Sequence, residues 1–170
     1  MNASDYKYCP RCKSRLKTIA DAFECAACGM VIYKNSAPTA SMLIVRNNQV
    51  LLARRNVEPF KGKVDVIGGF LKYGEHPLRG VLRETQEETG LTVTILDFLG
   101  VYMDRYGHGG KRTLNFYYVG RILSGRMRAK DDVAALEWFR LDRLPRPAFH
   151  SQEKVFRDLK RWQARKQAPR

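Results

Sequence analysis

The chain has 170 residues, 44% hydrophobic and 28% charged, the balance of a soluble globular protein with one ordinary domain and a small appendage. Thirty-one Lys and Arg against seventeen Asp and Glu give a formal charge of +14, which attracts polyanions without making the chain a nucleic-acid binder by itself. No apolar run reaches the length of a membrane span, and the start, MNASDYKYCPRC, lacks the apolar core of a secretory signal, so no membrane partner and a cytoplasmic location are expected.

All four cysteines fall in the first thirty residues, as Cys9-x2-Cys12, twelve residues, then Cys25-x2-Cys28. Two such pairs have metal-ligand spacing and close a tetrahedral four-thiolate Zn²⁺ site with no open position. Pro10 and Gly29 suit the knuckle turns, and the intervening KSRLKTIADAFE is long enough for a short hairpin. A piece this small has too little core to fold alone, so the metal is its core. A redox dithiol would need a thioredoxin-like βαβ context, which is absent. Residues 1–36 therefore read as a structural zinc ribbon, a scaffold or a dimer-forming flap. VIYKNSAPT reads as an extended link broken by Pro38, with the main domain over residues 37–148.

Residues 40–52 (ASMLIVRNNQVLL) are two apolar runs around an Asn-rich turn, a β-hairpin. Residues 64–67 form a short strand running into Gly68-Gly69; residues 91–101, 114–123 and 136–141 are further strands. Helical patterning covers residues 76–89 and 152–164, the second belonging to a C-terminal helix and basic tail over residues 149–170. Strands interleaved with two helices indicate an α/β or α+β sandwich.

Pro77 suits the first turn of the first helix and Gly90 its C-terminal left-handed position. Leu78, Val81, Leu82, Thr85 and Thr89 make one stripe, expected to pack on the sheet. Glu84, Glu87 and Glu88 lie roughly opposite, and Gly80 leaves room above them. Like charges at these spacings repel. With no Lys at i+4, the three carboxylates suit Mg²⁺ or Mn²⁺, hard cations that take oxygen ligands and bring a phosphate as co-ligand.

The run from Gly69 to Leu91 resembles the signature of the Nudix hydrolases, G-x5-E-x7-R-E-U-x-E-E-x-G-U with U aliphatic. Gly69, Glu75, Arg83, Glu84, Glu87, Glu88 and Gly90 fill its fixed positions. Thr85 departs at an aliphatic position, and Ile67 stands where many relatives have Pro. The resemblance extends over residues 40–144 and implies an α/β/α sandwich that hydrolyses a nucleoside diphosphate linked to another group. It further implies that Glu84, Glu87, Glu88 and the Gly69 carbonyl bind Mg²⁺ or Mn²⁺, that Arg83 orients the glutamates, and that Glu75 supports the loop-to-helix geometry. Asp132 is the downstream carboxylate matching some relatives, with Asp131 the near alternative. Glu84 or Glu87 is placed to take the proton from the attacking water, while some relatives use a carboxylate from the downstream loop instead, so the base stays open.

A ribbon before such a domain is similar to the NADH pyrophosphatases. Their Ser-Gln-Pro-Trp-Pro-Phe-Pro motif is missing from ILDFLGVYMDRYGHGGKRTLNFYYVG, which weakens an NADH assignment. ADP-ribose, FAD, another dinucleotide or a nucleotide-capped RNA end stay open as substrates. Phe60, Tyr73 and Tyr106, with Tyr102 and Phe116, are aromatics able to stack on a base, about half of them expected in the core; His108 is expected as a solvated loop residue. The contrasting reading is a nucleotide-sensing or RNA-binding module; sensor relatives usually lose signature glutamates, and all are present here. The charge permits a nucleic-acid partner without requiring one. Relatives with small N-terminal additions are often homodimers, and the same is expected here.

Overall fold

A computed structural model describes residues 6–108 and 110–167. The first five residues of the expected ribbon, Gly109 and the last three residues of the basic tail lie outside the described residues. The N-terminal segment is a three-stranded antiparallel sheet in the order β1 (Lys17–Ile19), β2 (Ala22–Glu24), β3 (Val31–Tyr33). Part of the expected link is thus a strand: Val31 to Tyr33 pair with Glu24 to Ala22. Pro38 does not break the chain either. It lies near the start of β4 (Ala37–Arg46), opposite Leu114, and its carbonyl accepts from the Leu71 N–H. A proline near a strand end forgoes one N–H bond at little cost.

The main sheet has the order β10 (Val133–Arg140), β5 (Gln49–Arg55), β4, β9 (Arg112–Gly125), β8 (Leu91–Arg105). β6 (Val64–Asp65) pairs with β5, and β7 (Ile67–Phe70) with β4. The expected continuous strand through residues 64–67 is divided because the Val66 N–H donates to its neighbour Asp65 Oδ1 at 2.8 Å, taking it out of the ladder. Asn47, at φ 54°, makes the β4–β5 turn, a conformation that Asn tolerates.

β4 and β5 are apolar on both faces because both are covered. Leu43, Val50 and Leu52 join Val155, Phe156, Leu159 and Trp162 of helix α2 (Ser151–Gln167) in one core; Met42, Ile44, Leu51 and Ala53 join Val81 of helix α1 (Pro77–Thr89) in the other. The result is an α/β/α sandwich. The packed face of α1 differs from the expected stripe. Val81, Thr85 and Thr89 are buried, but Leu78 and Leu82 are 40% and 39% exposed, while Gly80 and Glu88 turn inward. Leu71 packs where a side chain on Gly80 would stand, so the glycine admits the preceding loop rather than a ligand. Among the described residues no helix is long and apolar enough to cross a membrane.

Candidate functional site

Helix α1 is fixed at both ends. His76 caps it, with Nδ1 accepting from the Leu78 N–H at 3.2 Å, and Gly90 ends it at φ 69°. Thr85, at the aliphatic position of the signature, is fully buried with its hydroxyl donating to the Val81 carbonyl at 2.7 Å, which is how a polar side chain fits there. One residue then organises the acidic face. Arg83 Nε and Nη2 donate to the two oxygens of Glu75 at 2.8 and 2.7 Å, and Nη1 to Glu84 and Glu87 at 2.7 Å each. The repulsion between the glutamates is offset within the helix itself, by an arginine shared among three carboxylates.

Glu88 stands apart from that network. It is 6% exposed, and its Oε2 accepts from the Gly68 N–H at 2.8 Å. Burial pushes its carboxyl up to about 9, against the Gly68 hydrogen bond and reinforced by Asp132, Asp65 and Glu84. Burial also raises Glu84, against the pull of Arg83, with repulsion from Glu87 and Asp132. Hydrogen bonds from Arg83, then from the Lys72 N–H, hold Glu75 down to about 2. The two glycines bring sheet and helix together: a Cβ on Gly69 would stand 2.7 Å from the Glu84 carboxyl carbon, and one on Gly68 would strike the β4 backbone.

The donor set fits a hard divalent cation. Glu84 Oε2, Glu87 Oε1 and Glu88 Oε1 accept no hydrogen bond among the described residues, since each carboxylate bonds through its other oxygen. The residues around them are carboxylates whose mutual repulsion a cation would relieve.

On the other side of Gly68 and Gly69 lies a cavity of about 60 Å³, lined by residues from most of the sheet and from the start of α2. Its floor is an ion pair: Arg55 Nη1 donates to Asp65 Oδ2 at 2.6 Å, and Gln152 Nε2 donates to Asp65 Oδ1 at 2.5 Å. That bond fixes the Gln152 amide, and its Oε1 is left buried without a hydrogen-bond partner among the described residues, as is Ser151 Oγ. Tyr106 stacks on Phe149 with ring centroids 5.6 Å apart, and Phe70 meets Tyr106 edge-on at 5.2 Å.

Of the aromatics singled out from the sequence, Tyr106 lines this cavity and Phe60 packs edge-on against Phe149 at 5.3 Å. Tyr73 is fully exposed on the loop before α1 and does not line this cavity. Tyr102 is buried with its hydroxyl on Asp158 at 2.9 Å, and Phe116 packs against a core. His108 is exposed, with its ring edge-on to Phe60 at 5.1 Å. Arg55, Asp65, Phe149, Ser151 and Gln152 were not legible as site residues. The one local hint was an acidic residue inside an apolar strand, at Asp65.

The four thiols converge from two matching knuckles. The Lys13 N–H bonds the Cys9 carbonyl at 2.8 Å and the Gly29 N–H bonds that of Cys25 at 2.9 Å; Lys13 and Gly29 have φ 63° and 69°. Cys9 and Cys28 sulfurs are 3.7 Å apart, those of Cys12 and Cys25 3.4 Å, and all four lie within 4.8 Å of one another. Tetrahedral Zn–S bonds of about 2.3 Å put sulfurs about 3.8 Å apart, so the cluster fits zinc, whereas a disulfide needs about 2.05 Å. Hydrogen bonds from Ser14 bring the Cys12 thiol down to about 6.

The NUDIX domain family model matches residues 35–159. A Methanocaldococcus jannaschii protein named ADP-ribose pyrophosphatase is 35% identical over 135 residues, 77% of this chain and 77% of its own. A Pseudomonas aeruginosa protein named NAD-capped RNA hydrolase NudC is 29% identical over 142 residues, 82% of this chain but 49% of its own, so the chain spans about half of that relative. Among solved structures, a NUDIX hydrolase from Nitrosomonas europaea shares the fold with a TM-score of 0.75 at 22% identity, covering 92% of this chain and 89% of that one.

Proposed function

The chain belongs to the Nudix family, and we propose that it hydrolyses the pyrophosphate bond of a nucleoside diphosphate linked to another group, an ADP-ribose-like or dinucleotide substrate. The observation that carries this is the pairing, across Gly68 and Gly69, of a carboxylate face with a polar, aromatic-walled cavity. The cavity takes only part of that group, so the nucleoside end lies against its aromatic wall, Tyr106 and Phe149, with Phe60 behind them. Gln152 Oε1 and Ser151 Oγ gain partners there. The diphosphate then lies over α1.

Glu84, Glu87, Glu88, the Gly69 carbonyl and Asp132 would hold Mg²⁺ or Mn²⁺, which supplies positive charge against the pyrophosphate oxygens and makes water at the site more acidic. Arg83 sets the carboxylates in place, bonding one oxygen each of Glu84 and Glu87 and leaving the other oxygen of each open, and holds Glu75 through two bonds. Glu84 or Glu87 would accept the proton of the attacking water. Cys9, Cys12, Cys25 and Cys28 would hold a structural Zn²⁺.

The test is release of AMP from ADP-ribose, NADH, FAD and diadenosine polyphosphates with Mg²⁺, comparing the wild type with Glu84→Gln and Glu87→Gln. At least one substrate should be cleaved, and the variants should lose a hundredfold or more. Equal rates in wild type and variants would overturn the proposal. Tyr106→Ala should raise KM more than it lowers kcat.

A further inference from the structure

A groove of about 700 Å³ crosses the ribbon, far from any role in the hydrolysis proposed above, with Tyr6, Lys7, Tyr8, Arg15, Phe23 and Lys34 in its lining. Six Lys and Arg lie between residues 6 and 36 against Asp21 and Glu24, and none of these eight forms an ion pair among the described residues. A zinc ion on four thiolates adds roughly two negative charges, so the ribbon stays positive.

The cations divide into two kinds. Lys34 is part of the wall: its ammonium donates to the carbonyls of Ile19 and Ala20 at 3.3 and 3.2 Å and sits over the Phe23 ring. Lys7 and Arg15 are exposed, with no hydrogen bond from their side chains among the described residues. Tyr8 is 56% exposed and pairs with Arg15 across an isolated antiparallel bridge, which sets the two residues opposite one another. Tyr6 closes the groove, its ring tilted on Phe23 at 5.8 Å. Exposed cations answer phosphates, and an exposed ring beside them answers a base face, which a duplex hides and a single strand offers.

We infer that this groove binds single-stranded polynucleotide, RNA or DNA. It is a second anion site on the chain, independent of the carboxylate face. One consequence rests on the proposed hydrolysis as well: a nucleotide cap on a strand end is a substrate that both sites engage.

The test uses the zinc-loaded full chain and fluorescence anisotropy with a labelled strand of about twelve nucleotides. RNA, DNA of the same sequence, and the DNA duplex are compared over a salt series. Single strands should bind at least tenfold tighter than duplex, and the RNA and DNA arms identify the preferred source. Lys7→Glu with Arg15→Glu should weaken binding at least tenfold while ADP-ribose cleavage stays within twofold; Tyr8→Ala should weaken it with unchanged zinc content. Photocross-linking of 4-thiouridine RNA to the wild type, which needs no variant to fold, should mark the peptide holding Tyr6 and Tyr8. Duplex bound as tightly as single strands, unchanged affinity in the variants, or cross-links confined to α2 would each overturn the inference. Because binding is read with uncapped strands, its failure is separate from failure to hydrolyse a nucleotide.

Discussion

Glu88 lies inside the sandwich with one oxygen on the Gly68 N–H and no ion pair among the described residues. Its carboxyl titrates at about 9 in the folded chain against an ordinary 4.5. Between those values the folded state holds a proton that the unfolded state has released. The stabilisation is therefore complete below the unfolded value and is lost as pH rises through the folded one. Metal-free protein should lose stability steadily from pH 5 to pH 9 in urea unfolding, and Glu88→Gln should flatten that slope. Adding Mg²⁺ should recover stability most at the alkaline end, where the carboxylate is free to bind it. Parallel slopes in the two proteins would remove Glu88 as the source. Gly69 makes a second test at this scale. Its φ is ordinary, but a methyl group there would press on Glu84 at 2.7 Å. Gly69→Ala should lower kcat by about a hundredfold, the cost of a small displacement of a reacting group, with little change in Tm, because only the end of one side chain has to move.

Helix α1 was legible at its ends and misread on its faces. Pro77 and Gly90 punctuate it by their own backbone chemistry, and the structure places its bounds there. Gly90 sits at φ 69° with the Arg126 carbonyl 3.0 Å from where a Cβ would be. Gly90→Ala should cost about 1 kcal/mol, lowering Tm by about 2–4 °C in calorimetry, with the metal-dependent rate kept. A wheel of apolar residues gives a stripe, but not which edge turns to the sheet. Leu71, nine positions before Gly80, packs against the helix at that glycine, and no local pattern announces the contact. The division between β6 and β7 was hidden for a similar reason: a side chain, Asp65, takes the Val66 N–H that strand propensity assigns to the ladder. The signature positions were readable because Gly69 to Gly90 is one continuous strand–loop–helix. The role of Arg83 followed from resemblance; its threefold pairing to Glu75, Glu84 and Glu87 needed coordinates.

At the scale of the whole molecule, chain distance explains what sequence could and could not disclose. The cavity joins Arg55, Asp65, Tyr106 and Gln152 through a fold, with Gln152 reaching Asp65 across 87 positions. The cysteine knuckles, by contrast, are local and repeated, so their spacing carried the inference. The same contrast predicts how the molecule comes apart. The sandwich holds two apolar cores that share none of the ribbon's residues, whereas the ribbon buries little beyond Cys9, Ala22, Phe23 and Cys25. A segment with so few buried side chains would depend on a metal held by its four thiols for order. A zinc-selective chelator, with Mg²⁺ kept in excess, should unfold residues 6–36 alone. Hydrogen exchange should show protection lost over β1 to β3 and kept over β4, β5 and β9, while ADP-ribose cleavage stays within about threefold. Strand binding should disappear with the zinc, since its groove is built from the ribbon's own strands. Loss of protection throughout the sandwich on chelation would mean that the two parts fold as one, and that the ribbon's order does not rest on the thiolates.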